Sequence, residues 1–577
     1  MLLCRLFTKL RASIVNGRRQ AYLSLAAVAV LVGLSLVTAI IATRSQTVIT
    51  IHKATITHIL LLSSKPGGQK AVSRPTHRTS IMSPVWHHAI EVAGPAGPDN
   101  SGDTKLTALS CPSVGNCSAG GAYQGFNNKF QVFVVDEVDG IWHHAIEVPG
   151  TAGPGNSGNA ELTALSCSSV GNCSAGGYDT GVSGSSQKQQ AFVVDEVGGI
   201  WHNAIEVPGT AGHDNSGDAE LTALSCSSAG NCSAGGYSHT LGYSHDQEAF
   251  VANEVDGIWH HAIEVPGSGA LNIDGMAEIT VLSCPSAGNC SAGGYYTSNN
   301  YKSQAFVANE VDGIWHHAIE VPGTAGHDNS GDAELTALSC SSVGNCSAGG
   351  AYQESTYKSQ AFVVNEVDGI WHNAIEVPGS GALNTNGVAA LTALSCPSVG
   401  NCSAGGYYTD ASTYYQVFLA NEVDGIWRNA IEVPGSRALN IDGYAKVTAL
   451  SCPSVGNCSA GGVYLVSKNN FQVFLVNEVD GIWRNAIEVP GSRALNKSGN
   501  ADISTLSCSS AGNCTAGGSY RDAHDSYRAF VVNEVYNIPV AGGQMGILDW
   551  AIIAVLLAGA LIDLFSWYAI TGSKRWP

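Results

Sequence analysis

Hydrophobic and polar positions in this chain recur as short alternating runs, eight times over, at intervals of 56 to 59 residues. In the first full unit the runs are Leu106–Cys111, Cys117–Tyr123, Phe130–Val138 and Ile141–Val148. They are rich in Val, Ile, Phe and Thr and bounded by Gly, Pro, Asn and Ser, which predicts four strands per unit. Asp139-Gly140 separates the last two runs. Asp-Gly between apolar runs predicts a tight hairpin, because Gly accepts the positive φ that the turn requires. No run sustains a 3.6-residue apolar period, so little helix is expected in this region.

The units are cut out of phase at the two ends. The repeat tryptophans are Trp86, Trp142, Trp201, Trp259, Trp315, Trp371, Trp427 and Trp483. A Trp run, Val85–Val92, precedes the first Cys unit, and the eighth Cys unit runs on to Phe530–Val535 with no Trp run after it. A linear solenoid would need polar caps instead. A ring uses the offset, because the first run can complete the last unit. The expected fold is all-β, an eight-bladed β-propeller of four-stranded blades closed by the N-terminal Trp strand.

Each unit carries a Cys-x5-Cys pair: Cys111/Cys117, Cys167/Cys173, Cys226/Cys232, Cys284/Cys290, Cys340/Cys346, Cys396/Cys402, Cys452/Cys458 and Cys508/Cys514. The short turn between them brings two strand ends together, so a disulfide across it is expected, worth about 2 kcal/mol for so small a loop. Reduced core thiols are one alternative. Metal binding is another, disfavoured because two sulfurs per blade fall short of the four ligands of structural zinc. Even number and regular placement favour disulfides and an oxidising compartment. Cys4 stands outside the scheme.

Two apolar stretches flank the repeats. Residues 1–20 hold five Lys/Arg and no acid, and Ala21–Ala42 is apolar over 22 residues, long enough to span a bilayer as an uncleaved signal anchor. The alternative is a signal peptide cleaved near Ala42, disfavoured by the length of the stretch and the lack of a clear small-x-small site. Ile547–Ile570 is mostly apolar and is followed by Lys574 and Arg575. Basic flanks on both sides put both termini in the cytoplasm and the propeller outside. Asp549 and Asp563 interrupt the second stretch; Asp563 is read either as a near-interface residue or as a contact with another membrane helix. The expected organisation is a basic tail (1–20), a signal anchor (21–43), a stalk (44–84), the propeller (85–543), a transmembrane helix (544–571) and a cytoplasmic tail (572–577). Within the stalk, Val48–Leu62 has strand-like composition.

Charge is segregated. Residues 1–84 contain 11 Lys/Arg and no Asp/Glu, while the repeat region carries 14 Lys/Arg against 44 Asp/Glu. So acidic a body repels nucleic-acid phosphate, which excludes nucleic acid as a partner. It suits an extracellular domain or one that attracts cations.

Connections within a blade alternate between the two faces of the ring. The disulfide turn and the Asp-Gly turn share one face and hardly vary. The opposite face carries variable loops such as Gln124–Lys129, Asp179–Gln190, Ser238–Glu248, Thr297–Ser303 and Thr409–Tyr415, rich in Tyr, Ser, Asn and Gly. That composition resembles adaptable recognition surfaces. Tyr243, Tyr301, Tyr357, Tyr414 and Tyr415 are the candidate ligand contacts, while Tyr295 and Tyr407 at the loop bases are read as packing residues. The competing reading is that variation there is merely tolerated.

Asp/Asn clusters such as Asp214–Asp218 and Asn440–Gly443 on the same face offer oxygens for Ca²⁺, though Asx turns explain the same residues and no following Glu has the spacing of a calcium loop. No cofactor is otherwise expected. Successive His residues after the repeat Trp, such as His143-His144, point to opposite sides of a strand and read as exposed scaffold. The sequon at Asn116-Cys117-Ser118 recurs in every unit, but in a tight disulfide turn. No catalytic constellation stands out.

The Gly-Gly-x-Tyr run at Gly120–Tyr123, followed by the Trp hairpin at Asp139–Trp142, resembles the kelch motif. The Ser-Cys-x-Ser-x3-Cys-x-Ala run that starts at Ser110 resembles repeats of secreted bacterial proteins, especially actinobacterial ones. Either resemblance implies a propeller over about residues 85–535 and names no ligand. The expected function is a membrane-anchored extracytoplasmic propeller that binds a protein or glycan through its variable-loop face. The alternatives are a polysaccharide hydrolase or lyase, recognisable by carboxylates lining the channel on the variable side, and a structural envelope protein.

Overall fold

A computed structural model describes residues 84–95, 102–125, 128–151, 159–180, 189–210, 218–239, 247–273, 275–298, 302–324, 332–355 and 358–536. They form eight antiparallel sheets of one pattern, strands a, b, c and d in spatial order. In the first blade a is Thr104–Ser113, b is Asn116–Gln124 and c is Phe130–Val138. The c–d hairpin has Asp139 at φ 51° and Gly140 at φ 80°. Positive φ at both central residues makes it the tight turn expected of Asp-Gly.

The outer strand differs from the continuous run expected at Ile141–Val148. It is two short pieces, Ile141–Trp142 and Ile146–Glu147. The physical reason lies in the residues between. In the second blade the Ala204 amide leaves its own sheet and donates to Pro149 O of the preceding blade at 2.7 Å, and Ala486 reaches Pro434 O likewise at 2.7 Å. A buried amide needs one partner, and here the neighbouring blade supplies it. Four one-turn helices, Ser268–Leu271, Ser380–Leu383, Ser436–Leu439 and Ser492–Leu495, also depart from the all-strand expectation. They occupy d–a loops, each after a Pro-Gly whose glycine has φ of 77 to 81°.

The ring closes as the offset predicts. Val85 pairs with Val535, Trp86 with Glu534, Ile90 with Val531 and Glu91 with Phe530. The first strand pieces thus complete the eighth blade. Trp86 is 4% exposed, and its Nε1 donates to Asn477 Oδ1 of the seventh blade at 3.1 Å. The Ala89 amide repeats the blade-to-blade bond, donating to Pro490 O at 2.8 Å.

Among the described residues there is no shared central core. Each joint between blades buries its own apolar cluster, for example Val363 and Ala361 of one blade against Leu391, Phe418 and Trp427 of the next. The Gly-Gly of strand b serves this packing. A Cβ on Gly120 would meet the Leu162 side chain of the next blade at 2.8 Å, and one on Gly121 would lie 1.9 Å from Lys105 O.

All eight Cys-x5-Cys pairs are disulfides. The second cysteine of each pair lies deeper than the turn that the bridge spans. Cys173, Cys458 and Cys514 are each only 3% exposed, and each belongs to the apolar cluster of a blade joint. The reason is the alternation along strand b. Its first residue, the Asn of Asn-Cys, stays partly exposed at the turn, and the next side chain points into the joint. There the sulfurs of Cys173, Cys458 and Cys514 lie 3.4, 3.3 and 3.3 Å from the hydroxyls of Ser118, Ser403 and Ser459 in the preceding blade. These cysteines are scaffold within the joint and offer nothing to a ligand on the surface.

Among the described residues no helix is long and apolar enough to cross a membrane. The expected anchor, stalk and C-terminal span lie outside the described residues.

Candidate functional site

Strand a is the innermost of each blade and packs against strand a of both neighbours, so its residues line the central channel. Its second residue lies at the variable-loop end. Read around the ring, that position is Lys105, Glu161, Glu220, Glu278, Glu334, Ala390, Lys446 and Asp502. Four carboxylates in consecutive blades therefore form an arc, with Lys446, Asp502 and Lys105 completing the rim.

Tyrosines of strand b hold the arc. Tyr178 OH donates to Glu161 Oε2 at 2.7 Å, Tyr237 OH to Glu220 Oε2 at 3.1 Å and Tyr295 OH to Glu278 Oε2 at 3.0 Å. Gln189 Nε2 adds a bond to Glu220 Oε2 at 2.7 Å. Burial pushes the Glu220 and Glu278 carboxyls up, and the neighbouring acids, Glu161 for Glu220 and Glu220 and Glu334 for Glu278, push the same way. Burial also raises Asp502, to about 6, against the opposing pull of Lys105.

Across the sixth and seventh blades the rim is aromatic. Tyr407, Tyr415, Tyr444 and Phe471 form a row with successive ring centroids 5.5, 5.4 and 5.5 Å apart. Lys446 Nζ lies 4.5 Å from the Tyr407 ring centroid and 5.4 Å from that of Tyr444. All four rings are partly exposed. Such contacts between rings and an ammonium stabilise by roughly 0.5–2 kcal/mol each.

Of the candidate contacts, Tyr415 opens strand c and belongs to this row, while Tyr414 is 45% exposed in the loop before it. That loop is held by its own hydrogen bonds: Asp410 Oδ1 accepts the Ser412 and Tyr414 amides at 2.9 and 3.2 Å, and Arg437 pairs with Asp410 at 3.2 Å. Tyr243, Tyr301 and Tyr357 lie outside the described residues. The reading of Tyr295 and Tyr407 as packing residues is corrected. The scaffold tyrosines stand one position later: Tyr123, Tyr296, Tyr408, Tyr464 and Tyr520 are buried and donate to the outer-strand Glu147, Glu320, Glu432, Glu488 and Glu91. Tyr295 and Tyr407 point to the rim side instead.

Sequence reasoning missed Lys446, Tyr444, Phe471 and the arc. The available signal was variability at the second position of strand a, directly before an almost constant Leu or Ile. Of the Asx residues, Asn440 is committed to structure: its Nδ2 donates to Tyr415 O at 2.9 Å and its Oδ1 accepts the Tyr444 amide at 2.8 Å. Asn116, the sequon residue, is likewise engaged, bonding Ser113 Oγ, Val114 O and the Asp139 amide.

On the opposite face, clefts of about 300 Å³ open between blades. One is lined by Ser233, Asn253, Glu254, Glu310 and the Cys284–Cys290 disulfide. The repeat Glu of strand c is only 2–4% exposed in every blade, and at six joints an Asn of the preceding blade donates to it.

No family model matches this chain, and no curated protein matches it. A Dyadobacter fermentans protein of unknown function is similar at 9% identity, covering 79% of this chain and 99% of that one, with a TM-score of 0.35. The β-propeller domain of the trilobed protease from Pyrococcus furiosus is similar at 10% identity, covering 66% and 99%, with a TM-score of 0.36. A Hadza microbial sialidase is similar at 9% identity, covering 71% and 73%, with a TM-score of 0.32. No role is carried over from likenesses of this size, and the kelch-like and actinobacterial resemblances rest on the repeat motifs alone.

Proposed function

We propose that this chain is a membrane-anchored extracytoplasmic propeller that binds a protein or glycan ligand at its variable-loop face. The observation that carries the reading is the row Tyr407–Tyr415–Tyr444–Phe471, which joins two blades beside Lys446. Preorganised, partly exposed aromatic rings present large contact area at little entropic cost. Successive rings meet at 45 to 88°, so they offer a corrugated apolar ridge to a sugar ring or to a partner side chain. The disulfides agree with an oxidising, extracytoplasmic setting, and the two apolar stretches supply the anchors.

Screening the full chain in detergent against arrayed glycans and cell-surface proteins tests this. Tyr415→Ala and Tyr444→Ala are expected to weaken the captured ligand by about 2 kcal/mol or more each. Asp368→Asn, on the opposite face, is expected to leave affinity unchanged. Unaltered affinity in both tyrosine variants would remove the row from the site.

The carboxylate arc supports a second reading, a hydrolase or lyase acting on polysaccharide in the channel mouth. Its signature is turnover of a bound glycan that Glu220→Gln or Glu278→Gln abolishes while binding persists. Binding without turnover leaves the binding module as the function.

A further inference from the structure

Each blade ends in an apolar tip on the face of the disulfide turns. The isoleucine of Gly-Ile-Trp is 57–66% exposed in seven blades, as at Ile141, Ile314 and Ile482. Beside it stand the valine before the Asp-Gly turn, such as Val138 at 45%, and the valine of the disulfide turn, such as Val114 at 55%. Monomeric soluble proteins seldom expose so regular an apolar array without a partner. These residues belong to the two turns that recur from blade to blade, so the array belongs to the scaffold itself.

The course of the chain identifies what lies opposite it. Pro84 pairs with Tyr536 in the eighth blade, at the level where the other seven blades make the c–d turn. The chain therefore leaves the propeller on the disulfide-turn face, among the apolar tips. Only residues 537–546 separate Tyr536 from the apolar stretch Ile547–Ile570. Ten residues span at most about 33–36 Å when fully extended. A blade strand of ten residues is itself about 33 Å tall. A tether that starts on this face would be used up in reaching past the edge of the propeller to the other one.

We infer that the disulfide-turn face lies against the lipid bilayer, with its ring of Ile and Val tips at the headgroup level and the aromatic and carboxylate rim turned outward. This rests on the proposed C-terminal membrane span. Exposed carboxylates at Asp139, Asp256, Asp312, Asp368, Asp424 and Asp480 interrupt the apolar tips. They keep the contact shallow.

The test uses the full chain reconstituted in phosphatidylcholine vesicles containing lipids with a headgroup-level quencher. A fluorescent amino acid replaces Ile426 on the disulfide-turn face or Ser412 on the loop face. Loss of most emission at position 426 with none at 412 is expected. Equal quenching at both positions, or quenching at 412 alone, would overturn the inference. Alkaline carbonate extraction separates the two claims. Release of the protein from the vesicles refutes the span and the orientation together, whereas retention without quenching at 426 refutes the orientation alone. A triple variant, Ile314→Ser, Ile370→Ser and Ile426→Ser, with the reporter at Val455, is expected to fold normally and to lose quenching there. Unchanged quenching in that variant would show that the apolar tips make no lipid contact.

Discussion

Asp136 and Glu196 set two carboxylates against each other across the joint between the first and second blades, where the equivalent joint at Asn253 and Glu310 is a donor–acceptor pair. Asp195 and Glu254 repeat the substitution at the next joint. Burial, and then the Asp136 charge, pushes the Glu196 carboxyl up to about 7. A raised acid favours the folded state while protonated. Its stabilising contribution is complete below the ordinary glutamate value and is lost as pH climbs through about 7. Asp136→Asn supplies the amide donor that six other joints already have. The variant is expected to gain about 1–3 kcal/mol over the natural chain at pH 8 and much less at pH 5, read by urea unfolding at both pH values. A gain of equal size at both would show that charge repulsion at this joint is not its source.

Ring closure gives a second expectation. Trp86 is almost fully buried and bonded to Asn477, so Trp86→Ala should cost about 3–5 kcal/mol. Trp142 is only partly buried, and its Nε1 has no partner among the described residues. Trp142→Ala should therefore cost less. Comparable losses in melting experiments would mean that closure through the N-terminal strand carries no special share of the stability.

Two glycines of one blade should respond very differently to alanine. At Gly121 the added methyl would meet Lys105 O at 1.9 Å, and backbone cannot swing aside. The expected cost is about 3 kcal/mol or more. Gly140 has φ +80° with nothing within 4 Å of the new carbon, so the cost is the left-handed strain alone, about 1–2 kcal/mol. Thermal denaturation of the two variants ranks them, and the reverse order would disprove the packing role of the Gly-Gly pair.

Thiol titration of the denatured, unreduced protein should find none of the sixteen repeat cysteines free, and peptide mapping should join each to the one six positions away. Each bridge closes a small loop worth about 2 kcal/mol in the chain-entropy picture. Removing one pair, as in Cys396→Ala with Cys402→Ala, should lower stability by about that amount and leave the other seven bridges intact. Scrambled pairing in the variant would show that the blades do not fix their own bridges.

The strand runs, the Asp-Gly turns, the Cys pairs and the ring itself were legible because each depends on neighbours along the chain or on a shift between its ends. Alternation decides which side of a strand a residue occupies, and six residues around a tight turn bring Cys396 to Cys402. The depth of the bridges was not legible in the same way: Cys173, Cys458 and Cys514 are buried by the blade that precedes each of them. The aromatic row was hidden too, since Tyr407 and Phe471 meet only through Tyr415 and Tyr444 across a blade joint. So was the broken outer strand, whose Ala204 amide is claimed by Pro149 in the blade before it. One feature read correctly from pattern was assigned one position off: the buried scaffold tyrosine is Tyr408, and Tyr407 faces the rim.

By itself the sequence determined eight similar blades, their internal register and their disulfides, because these interactions recur within some sixty residues. Tertiary structure alone decided what each blade meets at its joint. It set Asp136 against Glu196, gathered Glu161, Glu220, Glu278 and Glu334 into one arc, and placed both described chain ends among the apolar tips. Those partners come from different repeats. Their meeting is fixed by the angle and closure of the ring, which no local pattern of polar and apolar residues encodes.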